Sequence, residues 1–330
     1  MTPKKLKDGV RPTRRLLLGA GLTAPVMAAA QTWPVRPIRF LVPFGPGSTS
    51  DIIARQVALA ARDSLGQPLV IENRAGAGGL IAAEMAARAA PDGYTLCFGT
   101  IASHAVSPAM APSLPFDLID DFLPVTRLVD APSLIVVNRD VPATSLAGYL
   151  GFARRRGHST FVSAGQGSLT HLAGEVLRVR HAAPLEHVPY SLFGNALTDL
   201  LAGRVDMLCY QAPALLPHLA SGAIRALCVL APRRVALFPA LPTAVEELGD
   251  PELDFTAWFG AFLPAETPRA IADRLHAAFL VALENAALRE TLAAQCCVGV
   301  GWGPNRFREF FVAEVPRWRR IVETTGVLLN

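Results

Sequence analysis

The sequence predicts an α/β protein built from two similar units, on three observations. Strand-like and helix-like segments alternate along most of the 330 residues, the alternation restarts near Ser133, and 51% of the residues are apolar. At about 100–200 residues per domain, this length gives two units with ample core. An apolar share of that size rules out a disordered chain.

In the first unit, residues 38–44 form a short apolar run closed by Gly45-Pro46-Gly47, a buried strand meeting a turn. Residues 51–65 place Ile53, Val57, Ala60, Ala61 and Leu65 on one stripe, an amphipathic helix. A strand over 69–71, an alanine-rich helix over 80–90 and a strand over 94–99, entered through Pro91-Asp92-Gly93, complete a βαβαβ series. Such a series argues for a parallel sheet with helices on both faces.

The second unit opens with a strand over 134–138, a helix over 145–155 and a strand over 160–163. Leu169, Leu172, Ala173, Val176 and Leu177 fall at i, i+3, i+4, i+7 and i+8, which predicts a helix over 169–179. Segments 185–190, 196–202, 205–210 and 224–230 continue the alternation. Thr267-Pro268 supplies an N-cap and a first-turn proline for a helix carrying Ile271, Leu275, Phe279 and Leu283. A last helix begins at Pro304 and carries Phe307, Phe310, Phe311 and Trp318; Pro316 should kink or interrupt it. With no repeat and no linker, the two units are expected to pack closely, the C-terminal helices returning to one of them.

The formal net charge of +4 sits at one end of the chain. Lys4, Lys5, Lys7, Arg11, Arg14 and Arg15 against Asp8 place +5 before residue 31, which leaves −1 for the other 300 residues. Nucleic acid is therefore not an implied partner. The same thirty residues read as an export signal, with a basic stretch ending at Arg14-Arg15, an apolar run over 16–27, and Ala28-Ala29-Ala30. Cleavage is expected near Ala30/Gln31, with the periplasm as destination; both the general secretory and the twin-arginine routes stay open. Twelve apolar residues fall short of the ~20 that span a bilayer. Further on, the stretch 212–232 is broken or charged by Pro213, Pro217, His218, Gly222 and Arg225.

Five cysteines cannot all pair within one chain, and Cys97, Cys209 and Cys228 lie in apolar runs that suit buried thiols. Cys296-Cys297 has neither the CxxC spacing nor the nearby histidine of a zinc site. Neither a metal nor a cofactor is expected.

Three strand-to-helix junctions share one design. They are Pro43-Phe44-Gly45-Pro46-Gly47-Ser48-Thr49-Ser50-Asp51, Ser163-Ala164-Gly165-Gln166-Gly167-Ser168-Leu169-Thr170-His171 and Pro189-Tyr190-Ser191-Leu192-Phe193-Gly194-Asn195-Ala196. Each turns through glycine and starts a helix with Ser, Thr or Asn near the cap. A helix start exposes unpaired N–H groups and the positive end of the dipole, so it holds an anion without a cationic side chain. Two such ends facing one another beyond the strand termini would suit a small carboxylate. The same residue types also make ordinary helix caps. Nucleotide binding fails on spacing, because Ser50 and Thr170 stand where a third glycine is needed.

Enzymatic chemistry finds little support. The chain has no GxSxG elbow and no HExxH, and its seven histidines form no ligand spacing. His171 would lie in the first turn of its helix and either contact ligand or pack; His187 reads as structural. Asp206 opens an apolar strand, where it either lines a cleft or caps a turn. Asp199 is explained by the helix dipole.

With those residues on the page, the chain resembles the periplasmic solute-binding receptors of tripartite tricarboxylate transporters, the Bug family, over residues 34–325. The ordered markers include Val42-Pro43-Phe44, Glu72-Asn73-Arg74, Ala90-Pro91-Asp92-Gly93-Tyr94, Thr170-His171-Leu172-Ala173-Gly174-Glu175, His187-Val188-Pro189-Tyr190, Val205-Asp206, Leu241-Pro242-Thr243 and Trp258-Phe259-Gly260. The resemblance implies a two-lobed periplasmic-binding-protein fold of type II, the Venus flytrap, each lobe a mixed, mostly parallel sheet flanked by helices. Lobe 1 would hold 31–131 and 255–330, and lobe 2 would hold 132–254. It further implies capture of a small organic anion by a monomer, and delivery to transporter membrane subunits.

Carried over by loop, the ligand would meet Phe44, Gly45, Gly47, Ser48, Thr49, Ser50 and Asp51 on one side. On the other it would meet Ala164, Gly165, Gly167, Ser168, Thr170, Tyr190, Gly194 and Asn195, with His171 and Asp206 as further candidates. The third loop departs from the family pattern, since Ser191-Leu192-Phe193-Gly194-Asn195 stands where Lys-Gly-Gly-Ala-Pro is usual. A ligand-sensing co-receptor for a membrane sensor kinase and a periplasmic enzyme on the same scaffold are the competing readings. The enzyme would need Asp206, or His171 with Ser168, in the cleft.

Overall fold

A computed structural model describes residues 33–111, 113–165 and 168–327. The expected export signal, its cleavage point and Gly167 lie outside the described residues. In the first part of the chain, β1 (Ile38–Val42), α1 (Thr49–Leu65), β2 (Leu69–Asn73), α2 (Leu80–Ala87) and β3 (Thr95–Thr100) follow one another. β1 lies between β2 and β3 and runs parallel to both. α1 forms because Ser48, extended at φ −68° and ψ 159°, accepts from the Asp51 N–H, and because Ile53, Val57, Ala61 and Leu65 share its buried face. Gly66 ends it in the left-handed region at φ 76°. After β3 a π-helical turn, Ala102–Val106, runs into α3 (Ser107–Met110), and β4 (Phe122–Ala131) follows.

Only Pro132 separates β4 from β5 (Ser133–Asn138), so the chain passes into a second sheet as a nearly continuous strand. There α4 (Leu146–Arg156), β6 (Ser159–Val162), α5 (Leu169–Arg180), β7 (Leu185–Val188), α6 (Phe193–Leu201) and β8 (Met207–Gln211) repeat the first plan. β6 lies between β7 and β8, parallel to both, as β1 lies between β2 and β3. Next come α7 (Ala212–Ala220), β9 (Ile224–Leu230) and α8 (Ala244–Leu248). The chain then returns through β10 (Ala257–Pro264), α9 (Arg269–Glu284), α10 (Ala286–Ala294), β11 (Val298–Trp302) and α11 (Pro304–Thr325). The first sheet has the order β11-β4-β10-β3-β1-β2 and the second β7-β6-β8-β5-β9.

Both sheets are mixed, but parallel ladders are not their majority. They make two of five pairings in the first sheet and two of four in the second. Parallel neighbours need a helical crossover within the sheet. β5 and β10 arrive from the other sheet instead and run back against the βαβ strands. Two helix boundaries also differ from expectation. α9 starts at Arg269 with Pro268 at the cap position, while Thr267 Oγ1 donates to the Pro264 carbonyl at 2.7 Å. α11 continues through Pro316, because Phe307, Phe311, Trp318 and Ile321 keep one buried face on both sides of it.

The core of the first sheet is aromatic. His104 stacks on Phe262 at 4.3 Å, and Phe262 meets Phe307 at 5.0 Å. Gly99 and Gly260 make this possible, since a Cβ there would overlap the Phe262 and Phe307 rings respectively. The indole N–H groups of Trp258 and Trp318 both donate to buried Glu314, at 3.2 and 2.9 Å. All five cysteines are buried and free, and burial pushes the Cys97 thiol up to about 12. Among the described residues no helix is long and apolar enough to cross a membrane. Among the same residues no His, Cys, Asp and Glu group could hold a metal ion.

Candidate functional site

β1 and β6 occupy equivalent places, each followed by a loop and a helix that starts beyond the strand's carboxyl end. At such a point the neighbouring strands connect in opposite directions, and a crevice opens between the loops. The two loops are built alike. The Ser48 N–H donates to the Gly45 carbonyl at 3.2 Å, and the Ser168 N–H donates to the Gly165 carbonyl at 3.2 Å. Each serine then caps its helix through its hydroxyl, Ser48 accepting from Asp51 and Ser168 from His171. The N–H groups of Thr49 and Ser50, and of Leu169 and Thr170, precede the point where intrahelical acceptors begin.

One narrow cavity, with about 20 Å³ open to a water-sized sphere, lies between these helix starts. From the first sheet it is walled by Phe44, Ser50, Thr100, Ile101, Ala102, Ala257 and Phe259. From the second it is walled by Ala164, Ser168, Leu169, Thr170, Tyr210 and Gln211. Among the described residues the wall carries neither a cationic nor an anionic side chain. An anion here would depend on N–H groups, hydroxyls and the two helix dipoles. Tyr210, stacked on Phe193 at 3.9 Å, brings its hydroxyl against the Thr49 backbone and so joins the second sheet to the start of α1. Phe44 and Ile52 pack into the same apolar cluster as Tyr210.

Asp51 braces the first loop rather than facing the cavity. Its carboxylate accepts from the Gly47 N–H at 3.0 Å, Arg55 Nε at 2.9 Å and Asn73 Nδ2 at 3.0 Å. Burial alone would raise its pKa, but these donors outweigh it and hold the group below the usual carboxylate range. Gly47 takes φ 77°, a conformation that favours glycine, and its N–H thereby reaches Asp51. Thr49 is buried with its hydroxyl unpaired among the described residues.

In the second loop, Thr170 Oγ1 accepts from the Ala164 N–H at 3.0 Å and lies 2.9 Å from Ser168 Oγ. Behind it, His171 stacks on His187 at 4.0 Å, and His187 Nε2 lies 2.8 Å from Ser163 Oγ. Burial, followed by the neighbouring His187 and Arg178 charges, lowers His171 to about 3, so it is a neutral packing residue away from the cavity wall.

Asp206, Gly194, Asn195 and Tyr190, all expected at the site, are not brought to the cavity wall. Asp206 precedes β8 at its amino end, where it accepts from Arg156 at 3.0 Å, Ser159 Oγ at 2.8 Å and the Thr160 N–H at 2.9 Å. The cavity lies at the other end of that strand, at Tyr210 and Gln211. Gly194 and Asn195 are exposed in the first turn of α6, which begins at Phe193 rather than at Ala196. Stacking of Phe193 on Tyr210 accompanies this earlier start. Tyr190 donates its hydroxyl to Asp199, and its carbonyl lies beside Gly165. The third loop instead sends Leu192 over Gly45, where a Cβ would meet Leu192 Cδ2 at 3.2 Å.

Sequence reasoning missed Thr100, Ile101, Ala102, Leu169, Tyr210, Gln211, Ala257 and Phe259. Thr100 and Gln211 end the strands next to β1 and β6, so the strand-end rule applied to every strand would have found them.

Comparison with known proteins gives a consistent result. The family model described as tripartite tricarboxylate transporter family receptor matches residues 53–327. Protein BugT of Bordetella pertussis is 38% identical over 313 residues, covering 94% of this chain and 95% of that protein. An R. palustris protein solved with adipate has a TM-score of 0.85 at 32% identity, covering 90% of this chain and 99% of the other. MatC from Rhodopseudomonas palustris with bound malate has a TM-score of 0.82 at 32% identity, covering 88% of this chain and 99% of the other.

Proposed function

The chain belongs to the tripartite tricarboxylate transporter receptor family, solute-binding receptors and not enzymes, and on that premise we propose that it captures a small organic carboxylate between its lobes. The protein has the two-lobed α/β fold of periplasmic binding proteins. In this reading it acts in the periplasm, after export directed by its first thirty residues, and presents its ligand to transporter membrane subunits. The lobes are 31–131 with 255–330, and 132–254, a division supported by the membership of the two sheets.

The observation that carries the reading is the pair of equivalent Gly-to-Ser loops opening on one cavity that lacks charged side chains. A carboxylate there would accept from the first-turn N–H groups of α1 and α5, with the Ser50 hydroxyl as a further donor. Enclosure between lobes removes competing water and strengthens those charge-assisted bonds. The adipate and malate held by related proteins support carboxylates as the ligand class.

Thermal shift of purified, unliganded protein with dicarboxylates, tricarboxylates, amino acids and aromatic acids tests the proposal. At a hundred times its Kd, a true ligand adds about 2.7 kcal/mol and raises Tm by several degrees. A protein that no small carboxylate stabilises would overturn it.

A further inference from the structure

Gln211 ends β8 on the cavity wall, with 8% of its surface exposed. Among the described residues its side-chain amide makes no hydrogen bond, and it is not among the side chains sealed off from solvent without a partner, so the cavity's contents can reach it. A buried primary amide offers both an acceptor and donors, and leaving them unmade costs free energy. A ligand group that both donates and accepts is the one that would use both ends of this amide at once. A carboxylate only accepts. An ammonium only donates, and among the described residues no anionic side chain lines the cavity to balance its charge. A hydroxyl does both. Beside it, Tyr210 is buried on the same strand end, with its ring fixed against Phe193 and its hydroxyl against the start of α1. Gln211 is thus held near the place where the carboxylate is expected, one residue along the strand.

We propose that Gln211 is a specificity-determining residue, selecting carboxylates that carry a hydroxyl over otherwise identical ones that lack it. The inference rests on the carboxylate-binding reading above. A site built to bond a hydroxyl rejects the analogue without it because its own polar groups are left unpaired.

Isothermal titration of the full mature protein with matched acids tests it: malate against succinate, citrate against tricarballylate, and aspartate as the ammonium counterpart. The hydroxylated acid of at least one pair should bind at least about tenfold more tightly than its partner, with aspartate gaining no such advantage. In Gln211→Met the preference should fall below about threefold, while Gln211→Asn, which keeps the amide, should retain part of it. Thermal melts establish that both variants fold. Equal binding within each pair, a preference that survives Gln211→Met, or an advantage for aspartate would overturn the inference and leave carboxylate capture standing. Folded wild-type protein that binds none of these acids would sink both.

Discussion

Replacing Ala164 with tryptophan should abolish carboxylate binding, weakening it by at least about 100-fold, while the unliganded protein still folds. Ala164 is buried on the second loop and contributes to the cavity wall. Its backbone N–H bonds Thr170 Oγ1, and a change of side chain leaves that bond available. An indole placed there would fill space that the ligand needs, next to Ser168 and Thr170, rather than open a hole in the core. Ser168→Ala is a useful contrast, because it removes the helix cap and should cost about 1 kcal/mol of stability together with a smaller loss of affinity. Titration calorimetry with the best ligand of the panel and a urea melt separate the two effects. Unchanged affinity in the tryptophan variant would move the site elsewhere.

Stability should fall steeply below pH 6.5. Burial holds His104 at about 3 and His187 at about 4, and burial with two neighbouring charges holds His171 at about 3. An unfolded histidine titrates near 6.5. Above that value both states are neutral and the full stability is present. As pH falls, the unfolded chain takes up protons that the folded one refuses, and stability drops until the folded pKa is reached. At about 1.4 kcal/mol per pH unit per histidine, His104 and His171 together remove about 4 kcal/mol between pH 6 and 4.5. That is a large part of the ~5–15 kcal/mol typical of a folded protein. Urea midpoints near pH 7.5, 6 and 4.5 measure the effect. His104→Phe keeps an aromatic ring on Phe262 and should make the acid slope shallower. A midpoint constant over the range would contradict the assignment of neutral, buried histidines.

The βαβ parts of both lobes were legible because their strands and helices differ in period and are punctuated by glycine and capping serine. The helix over 169–179 and its cap at Ser168 follow from side-chain spacing alone, and the structure starts and ends it within a residue. β4 and β10 were not legible. All eight residues of β10 are buried, so it has no polar alternation, and β4 is nearly as uniform and contains Pro124. Their place depends on the chain crossing between sheets, which no local pattern records.

The wall of the candidate cavity was legible where it is made of helix starts, at Ser50, Ser168 and Thr170, and invisible where it is made of strand ends. Gln211 and Thr100 are polar residues closing largely apolar strands, and no glycine turn follows either of them. Asp206 illustrates the opposite error. A carboxylate at the start of a strand belongs to the amino end of the sheet, and here it ties β6 to β8 through Thr160.

The most direct test is a crystal structure of the protein with its tightest-binding acid. The account predicts a carboxylate between the lobes, within hydrogen-bond distance of first-turn N–H groups of α1 and α5 near Ser50 and Thr170. An acid bound outside that cavity, or held there by a lysine or arginine side chain, would contradict it.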